Sequence, residues 1–351
     1  MNQEKVFKIG EHEIHDDSDC YVIAEIGHNH QGDLEQCKEL FQAAKYAGVD
    51  AVKLQKRDNR SLFTKEAYDR AYDNRNSYGA TYGEHREFLE FGREEYLELK
   101  RYADELKLDF FSTAFDIPSA DFLEEIDLPA YKIASGDLKT IPLLKYVAAL
   151  GKPMIISTGG ATLKDVQRAY EAIMPINPQL CIMQCTGGYP PAWEELNLRV
   201  IDTLAKEFPK ATIGFSSHDS GIAMAVAGYM LGARIIEKHF TLNRANKGTD
   251  HAFSLEPTGM RKMVRDLRRL KVALGDGEKQ LYASEAAPIS KMGKSLVAGC
   301  DLKAGEVIHA DNLAMKSPGD GIPPYEWDNV IGKTLSQDVA EDQQFAWSDF
   351  S

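Results

Sequence analysis

From Tyr21 to about residue 274, short runs rich in apolar and β-branched residues alternate with longer stretches of helical spacing, and the cycle is completed eight times. The runs are YVIAEIG (21–27), DAVKLQ (50–55), DFFSTAF (109–115), AYKIAS (130–135), PMIIST (153–158), LCIMQCT (180–186), TIGFSSH (212–218) and ARIIEKHF (233–240). A strand that feeds a helix and then another strand becomes the parallel neighbour of the second one. Eight such units in roughly 250 residues predict an α/β fold, a closed (β/α)8 TIM barrel. An open, doubly wound sheet is the competing architecture. It is disfavoured because neither G-x-G-x-x-G nor G-x-x-x-x-G-K-[ST] follows the first run, and such phosphate-cradling turns mark the nucleotide-binding sheets of that kind.

The chain has 351 residues, 43% of them hydrophobic, enough for one large domain and a smaller one. Residues 1–274 read as the barrel, entered through an N-terminal hairpin of VFKIG and EHEIH, and residues 275–293 read as a linker rich in Gly, Ser and Ala. Residues 294–351 carry turn-rich strands and read as a small β-rich domain. The second strand-to-helix connection, residues 56–93, is far longer than such connections usually are. Its tyrosines, arginines and asparagines predict a lid over the barrel mouth rather than a disordered insertion.

A net charge of −13 excludes nucleic acid or an anionic membrane as the main partner, so any anionic ligand must meet a local cluster of cations or amides. Five cysteines, with no CxxC pair, argue against a disulfide framework and for a reducing, cytoplasmic setting. The charged N-terminus lacks an apolar signal core, and no apolar run approaches a membrane span of about 20 residues.

Side chains in a strand alternate between faces. With Val22, Ala24, Val52, Leu54, Ile156, Phe215 and Ile236 turned toward the helices, Glu25, Lys53, Gln55, Thr113 and Lys132 face inward near the carboxyl ends. Ser157, Ser216, His218, Glu237 and His239 do the same on the later strands. Barrel active sites form at that end. Two inward lysines among hydroxyls suggest a small anion carrying carboxylate or phosphate, and Ser135 with Gly136 can add backbone amides. His218 and His239, on adjacent strands with Glu237 between them, can hold a divalent cation or can be two hydrogen-bonded structural histidines. Lys238 falls on the outer face and reads as structural, as do Cys181 and Cys185.

Seven stretches, taken in order, carry a resemblance: AEIGHNHQG (24–32), AVKLQ (51–55), YKIASGD (131–137), STGG (157–160), QCTGGYP (184–190), IGFSSHDSG (213–221) and IEKHF (236–240). Together they resemble the sialic acid (N-acetylneuraminate) synthase family, and the tail from Ser295 to Ile322 resembles that family's antifreeze-like (SAF) domain. The resemblance implies condensation of phosphoenolpyruvate with an N-acetylated hexose, N-acetylmannosamine or a related 2,4-diacetamido sugar, to give a nonulosonic acid. It implies a divalent ion on His218 and His239, manganese foremost, with magnesium or cobalt as alternatives. Lys53, Thr113, Lys132, Ser135, Ser157 and Ser216 match phosphoenolpyruvate positions. Gln55, Asn76, Asp137, Tyr189 and Asp250 match sugar positions, and Glu25, Glu237 and Lys53 match catalytic ones. Ser317, in the tail, matches a sugar-contacting position supplied across a domain-swapped homodimer. The chain departs from N-acetylneuraminate-forming members at Gly187, where those carry Asn, and at Ser317, where they carry Arg. Both departures bear on the acceptor sugar. Two other readings suit the same fold, a Schiff-base pyruvate aldolase using Lys132 and a non-catalytic sugar-binding protein.

Overall fold

The structure, a computed structural model, describes residues 6–351; residues 1–5 of the predicted N-terminal segment lie outside the described residues. The chain divides into two compact units, one running to Leu274 and the other Gly275–Ser351.

The first unit opens with a hairpin of strands β1 (Phe7–Ile9) and β2 (His12–Ile14). The barrel strands follow: β3 (Tyr21–Gly27), β4 (Ala51–Lys56), β5 (Asp109–Ala114), β6 (Tyr131–Ile133), β7 (Met154–Ser157), β8 (Leu180–Cys185), β9 (Thr212–Ser217) and β10 (Ile235–His239). They close a parallel barrel in chain order, with β10 paired back onto β3. Each predicted strand is present within two residues of its expected ends. β6 stops two residues early, at Ile133, because Ser135–Asp137 turn into a 3-10 helix.

The alternation of side chains holds around the ring. Val22, Val52, Ile156, Phe215 and Ile236 are at most 1% exposed and sit in the apolar layer under the helices. That layer is sealed by amphipathic helices such as Pro257–Leu274, which buries Met260, Met263 and Leu267. Helix starts are capped locally, as where Asp33 accepts from Gln36 N ahead of the helix Leu34–Ala47.

The predicted lid is ordered. It contains helices Asn59–Leu62, Lys65–Asp69 and Tyr82–Leu89, the last begun by a capping box of Thr81 and Glu84. Its tip is tied to the loop after β10, with the Tyr78 hydroxyl donating to Lys247 O at 2.8 Å and Gly248 N donating to Asn76 Oδ1 at 3.3 Å.

In the second unit, the stretch that reads as a linker carries a short helix, Ala286–Met292. Strands β11 (Ser295–Ala298) and β12 (Leu313–Lys316) pair antiparallel around a small core of Leu296, Leu302, Ile308, Val330 and Phe345. No helix among the described residues is long and apolar enough to cross a membrane.

One glycine links the fold to the site. At the end of β3 the register shifts between Glu25 and Gly27, and Gly27 has φ +55°. A Cβ there would stand 3.1 Å from Gln55 Nε2 and 3.2 Å from Glu25 Oε1. Gly27→Ala is therefore expected to destabilise the barrel by about 1–3 kcal/mol and to disturb the Glu25–Gln55 contact, lowering activity as well. A urea midpoint equal to that of the parent protein would refute this.

Candidate active site

The carboxyl ends of the strands surround a cavity of about 470 Å³ built entirely from residues 25–250. The inward residues reach it because one parity runs through every strand. Register then sets which of them meet: Glu25 pairs with Lys53 and with His239, Gln55 with Thr113, and Thr113 with Lys132.

At the floor four charged side chains, all at least 96% buried, form an alternating set. The Lys53 ammonium lies 2.6 Å from Glu25 Oε2 and 3.6 Å from Glu237 Oε1, and donates to Thr113 Oγ1 at 3.0 Å. Lys132 lies 3.8 Å from the same Glu237 oxygen and donates to Ser157 Oγ at 2.7 Å. Glu237 thus bridges both lysines, and Ser216 donates to it at 3.4 Å. Glu25 also accepts from Gln55 Nε2 at 2.7 Å.

This arrangement separates the two carboxylates. Burial raises the pKa of Glu25, and the nearby Lys53 does not fully offset it. Burial works the same way on Glu237, but Lys132 and Lys53 together overrule it and hold Glu237 below its ordinary value. A pair pushed apart in this way can divide acid and base duties. The lysines diverge too: burial lowers Lys132, whereas the pull of Glu237 and Glu25 overcomes burial and raises Lys53.

Above the floor stand the two imidazoles, ring centroids 5.3 Å apart. His218 Nδ1 donates to Thr186 O at 2.8 Å, which leaves its Nε2 lone pair free. His239 Nδ1 is buried without a hydrogen-bond partner, 3.6 Å from Asp250 Oδ2, and Glu237 Oε2 is likewise unpartnered. Burial lowers both rings' pKa, that of His218 to about 4, so both are neutral at pH 7. Two neutral imidazoles are donors a divalent cation takes, and the carbonyl behind His218 fixes its tautomer. The residues therefore fit the implied ion. Among the described residues no group of three or more His, Cys, Asp or Glu side chains converges in metal-holding geometry, so two imidazoles would be the core of the site.

Lys238, on the outer face, braces this pair. Its ammonium donates to Asp219 O at 2.6 Å and to Asp219 Oδ1 at 3.0 Å, tying the loop that carries His218 to β10.

Of the remaining expected residues, Ser135, Tyr189 and Asp250 line the cavity. The Ser135 hydroxyl accepts from Gly159 N at 3.0 Å, and the Tyr189 ring lies tilted against His218 with centroids 4.0 Å apart. Asp137 and Asn76 do not line it: Asp137 follows the turn at Gly136, and the Asn76 side chain is engaged by Gly248 N. Ser317 belongs to the second unit, where its hydroxyl donates to Met292 O at 3.4 Å. Cys181 lies in the apolar core, but Cys185 is in the cavity wall rather than purely in packing.

The structure also brings in residues that the strand pattern does not reach. His28, Arg57, His85, Arg86 and Tyr78 line the outer part of the cavity. Arg57 continues the alternation of Lys53 and Gln55 one step past the strand, so its position is implicit in the sequence. Arg86 and His85 come from a lid helix, whose placement no periodicity announces.

The pattern of the NeuB family matches residues 40–279, and that of the SAF domain matches residues 293–351. The chain is 41% identical to human N-acetylneuraminate-9-phosphate synthase over 324 residues, covering 92% of this chain and 90% of that one. It is 35% identical to N,N'-diacetyllegionaminic acid synthase of Legionella pneumophila, covering 93% and 94%. In structure it is similar to the N-acetylneuraminic acid synthetase of Leptospira borgpetersenii in complex with citrate, with a TM-score of 0.71 and 30% identity, covering 82% of this chain and 95% of the other.

Asp137 supplies a test of these electrostatics. Burial, resisted by Arg57 and helped by Asp116, raises its carboxyl to about 6. The folded protein then holds this proton more tightly than the unfolded chain, so stability falls as pH rises from about 4 to about 6 and stays lower above. Asp137→Asn is expected to flatten the profile of urea midpoint against pH across that window. An unaltered slope would show that the carboxyl titrates normally.

Proposed function

The chain belongs to the NeuB family, and on that premise we propose that it condenses phosphoenolpyruvate with an open-chain N-acetylated hexose to give a nonulosonic acid and inorganic phosphate. The bond formed joins C3 of phosphoenolpyruvate to the aldehyde carbon. Water adds at C2, and the C2–O bond breaks to release phosphate and leave the 2-keto acid. The observation that carries this reading is the floor, where two buried lysines share Glu237 among hydroxyls from three strands.

Lys53 and Lys132 bind the carboxylate and phosphate of phosphoenolpyruvate, assisted by Thr113, Ser157, Ser216 and Ser135. Glu237, held ionised by the lysines, orients the water that adds at C2. Glu25, an ionised partner of Lys53 at rest whose pKa burial raises, takes up the proton released as water adds at C2 and passes it to the aldehyde oxygen as that becomes a hydroxyl. Tyr189, Gln55 and Asp250 bind and orient the sugar. A divalent ion, for which we favour Mn2+ over Mg2+ or Co2+, would be held by His218 and His239 and would polarise the aldehyde. We place the enzyme in the cytoplasm as a homodimer, with Ser317 of one copy facing the sugar of the other; the exposed Leu281, Tyr282, Ile289 and Met292 supply apolar surface for such an exchange.

The relatives' names divide on the acceptor. The human product carries a phosphate at C9 and the Legionella product two acetamido groups.

The test is phosphate release and product mass from phosphoenolpyruvate with a panel of 2-acetamido and 2,4-diacetamido hexoses. A product whose mass is the sum of sugar and pyruvate is expected. Borohydride trapping of pyruvate on Lys132, whose lowered pKa is what an aldolase lysine needs, would overturn the reading. Lys132→Ala should weaken phosphoenolpyruvate binding by about 2–4 kcal/mol, read as its KM. For the ion, Mn2+ binding followed by electron paramagnetic resonance should be lost in His218→Ala and in His239→Ala, together with turnover. Retained Mn2+ binding in both variants would remove the ion from these residues.

A further inference from the structure

His218 and His239 are held in place by different means. His218 Nδ1 donates to Thr186 O at 2.8 Å, so a backbone carbonyl fixes its tautomer and its ring plane. His239 Nδ1 has no hydrogen-bond partner, and Asp250 Oδ2 stands 3.6 Å from it, beyond hydrogen-bonding distance. The last side-chain torsion of a histidine is broad and roughly two-fold. An imidazole with no hydrogen bond behind it therefore keeps one orientation only where packing holds it.

The packing partner is Phe253. It is 4% exposed, yet it stands outside the apolar layer under the helices, and its aromatic neighbours are the groups of the site. Its ring centroid lies 5.0 Å from that of His239 at an interplanar angle of 67°, 5.8 Å from that of His218 at 89°, and 5.3 Å from that of Tyr189 at 62°. Edge-to-face contacts of this kind are favourable and directional. Tyr189 also meets His239 edge-on, at 6.4 Å, but it is 58% exposed and so is the less constrained of the two.

Phe253 is itself anchored to the strand that carries His239. The chain leaves β10, turns through the 3-10 helix His251–Phe253 and returns beside the strand end: Leu255 N donates to His239 O at 2.8 Å and Thr241 N to Leu255 O at 3.0 Å. Asn29 closes the return, its Nδ2 donating to Phe240 O at 2.9 Å and to Ser254 Oγ at 3.0 Å. Phe253 also lines a surface groove of about 540 Å³ together with Leu242, Arg244 and Ser254. Its ring separates that groove from the imidazoles.

We propose that Phe253 is the positioning residue of the metal site: packed edge-to-face against both imidazoles, it orients His239 in place of the missing hydrogen bond and keeps water of the groove off the pair. This rests on the reading of His218 and His239 as ligands of a divalent ion. A smaller side chain would let the His239 ring turn about its last torsion, so that its lone pair meets the ion in only a fraction of molecules, and apparent affinity falls with that fraction. Phe253 does not line the cavity that holds Lys53 and Lys132, so their hold on phosphoenolpyruvate is independent of it.

The experiment titrates metal-free protein with Mn2+, followed by electron paramagnetic resonance, and separately with phosphoenolpyruvate by calorimetry. Phe253→Ala is expected to weaken Mn2+ binding by about tenfold, and Phe253→Leu, which keeps most of the volume but not the flat ring, by about threefold, with phosphoenolpyruvate binding within about twofold of the parent in both. Phe208→Leu, at a buried ring packed on Tyr170 in the apolar layer, controls for general loosening and should leave both affinities unchanged. Unchanged Mn2+ affinity in the Phe253 variants, or phosphoenolpyruvate binding weakened as much as that of Mn2+, would overturn the proposal; if Phe253→Ala does not fold, Phe253→Leu decides it alone. If the parent protein binds no Mn2+, the metal reading fails instead, and the orientation of His239 is read from the imidazole nitrogen resonances of protein isotope-labelled at histidine. Sharp His239 signals in the parent that broaden or shift in Phe253→Leu support the positioning role, and an unchanged spectrum overturns it.

Discussion

Four ionised groups packed into the water-poor floor of a barrel are the feature on which the rest of this molecule depends. Isolated, any one of Lys53, Lys132, Glu25 or Glu237 would cost several kcal/mol to bury. Together they are tolerable because each charge has an opposite neighbour within 4 Å. The cost is an arrangement with little slack. The strands must keep one parity and one register, and Gly27 must lack a side chain so that Gln55 can reach Glu25. The rigidity of the β-sheet, with its apolar outer layer, is what holds those positions.

The same neutrality has a functional side. Because the lysines are compensated before substrate arrives, an incoming anion must compete with Glu237 and Glu25 for them. Their opposite pKa shifts, upward for Glu25 and downward for Glu237, follow from position alone: Glu237 touches both lysines and Glu25 only one. Farther out, the guanidiniums of Arg57 and Arg86 flank the His28 ring at 3.3 Å, and Glu90 lies 3.9 Å from Arg57. A hydrogen-bonded ladder through Gln55 joins floor and rim.

Membership of the NeuB family accounts for the plan but not for every departure within it. Gly187 and Ser317 are the two positions at which the resemblance implies larger polar side chains in N-acetylneuraminate-forming members. No Cβ at Gly187 would meet anything within 4 Å, so the space there is open in this chain. Neither this open space nor the pair of guanidiniums around His28 follows from the chemistry of the floor.

The eight strand-helix cycles determined the barrel, and strand parity determined the inward set from Glu25 to His239, because in a closed sheet every second side chain has one destination. The paired histidines and the pair of lysines were legible for the same reason. Arg57 was within reach, one alternation beyond β4. What the sequence did not determine was anything set by the path of an irregular segment. Arg86 and His85 lie on the lid, and Asn76 and Asp137 sit on turns that carry them off the cavity wall. The partition of pKa values between two chemically identical carboxylates was also invisible, because it depends on distances of 2.6 to 3.8 Å to lysines on other strands. Periodicity states which face a side chain occupies; only the closed tertiary structure decides which charges meet there.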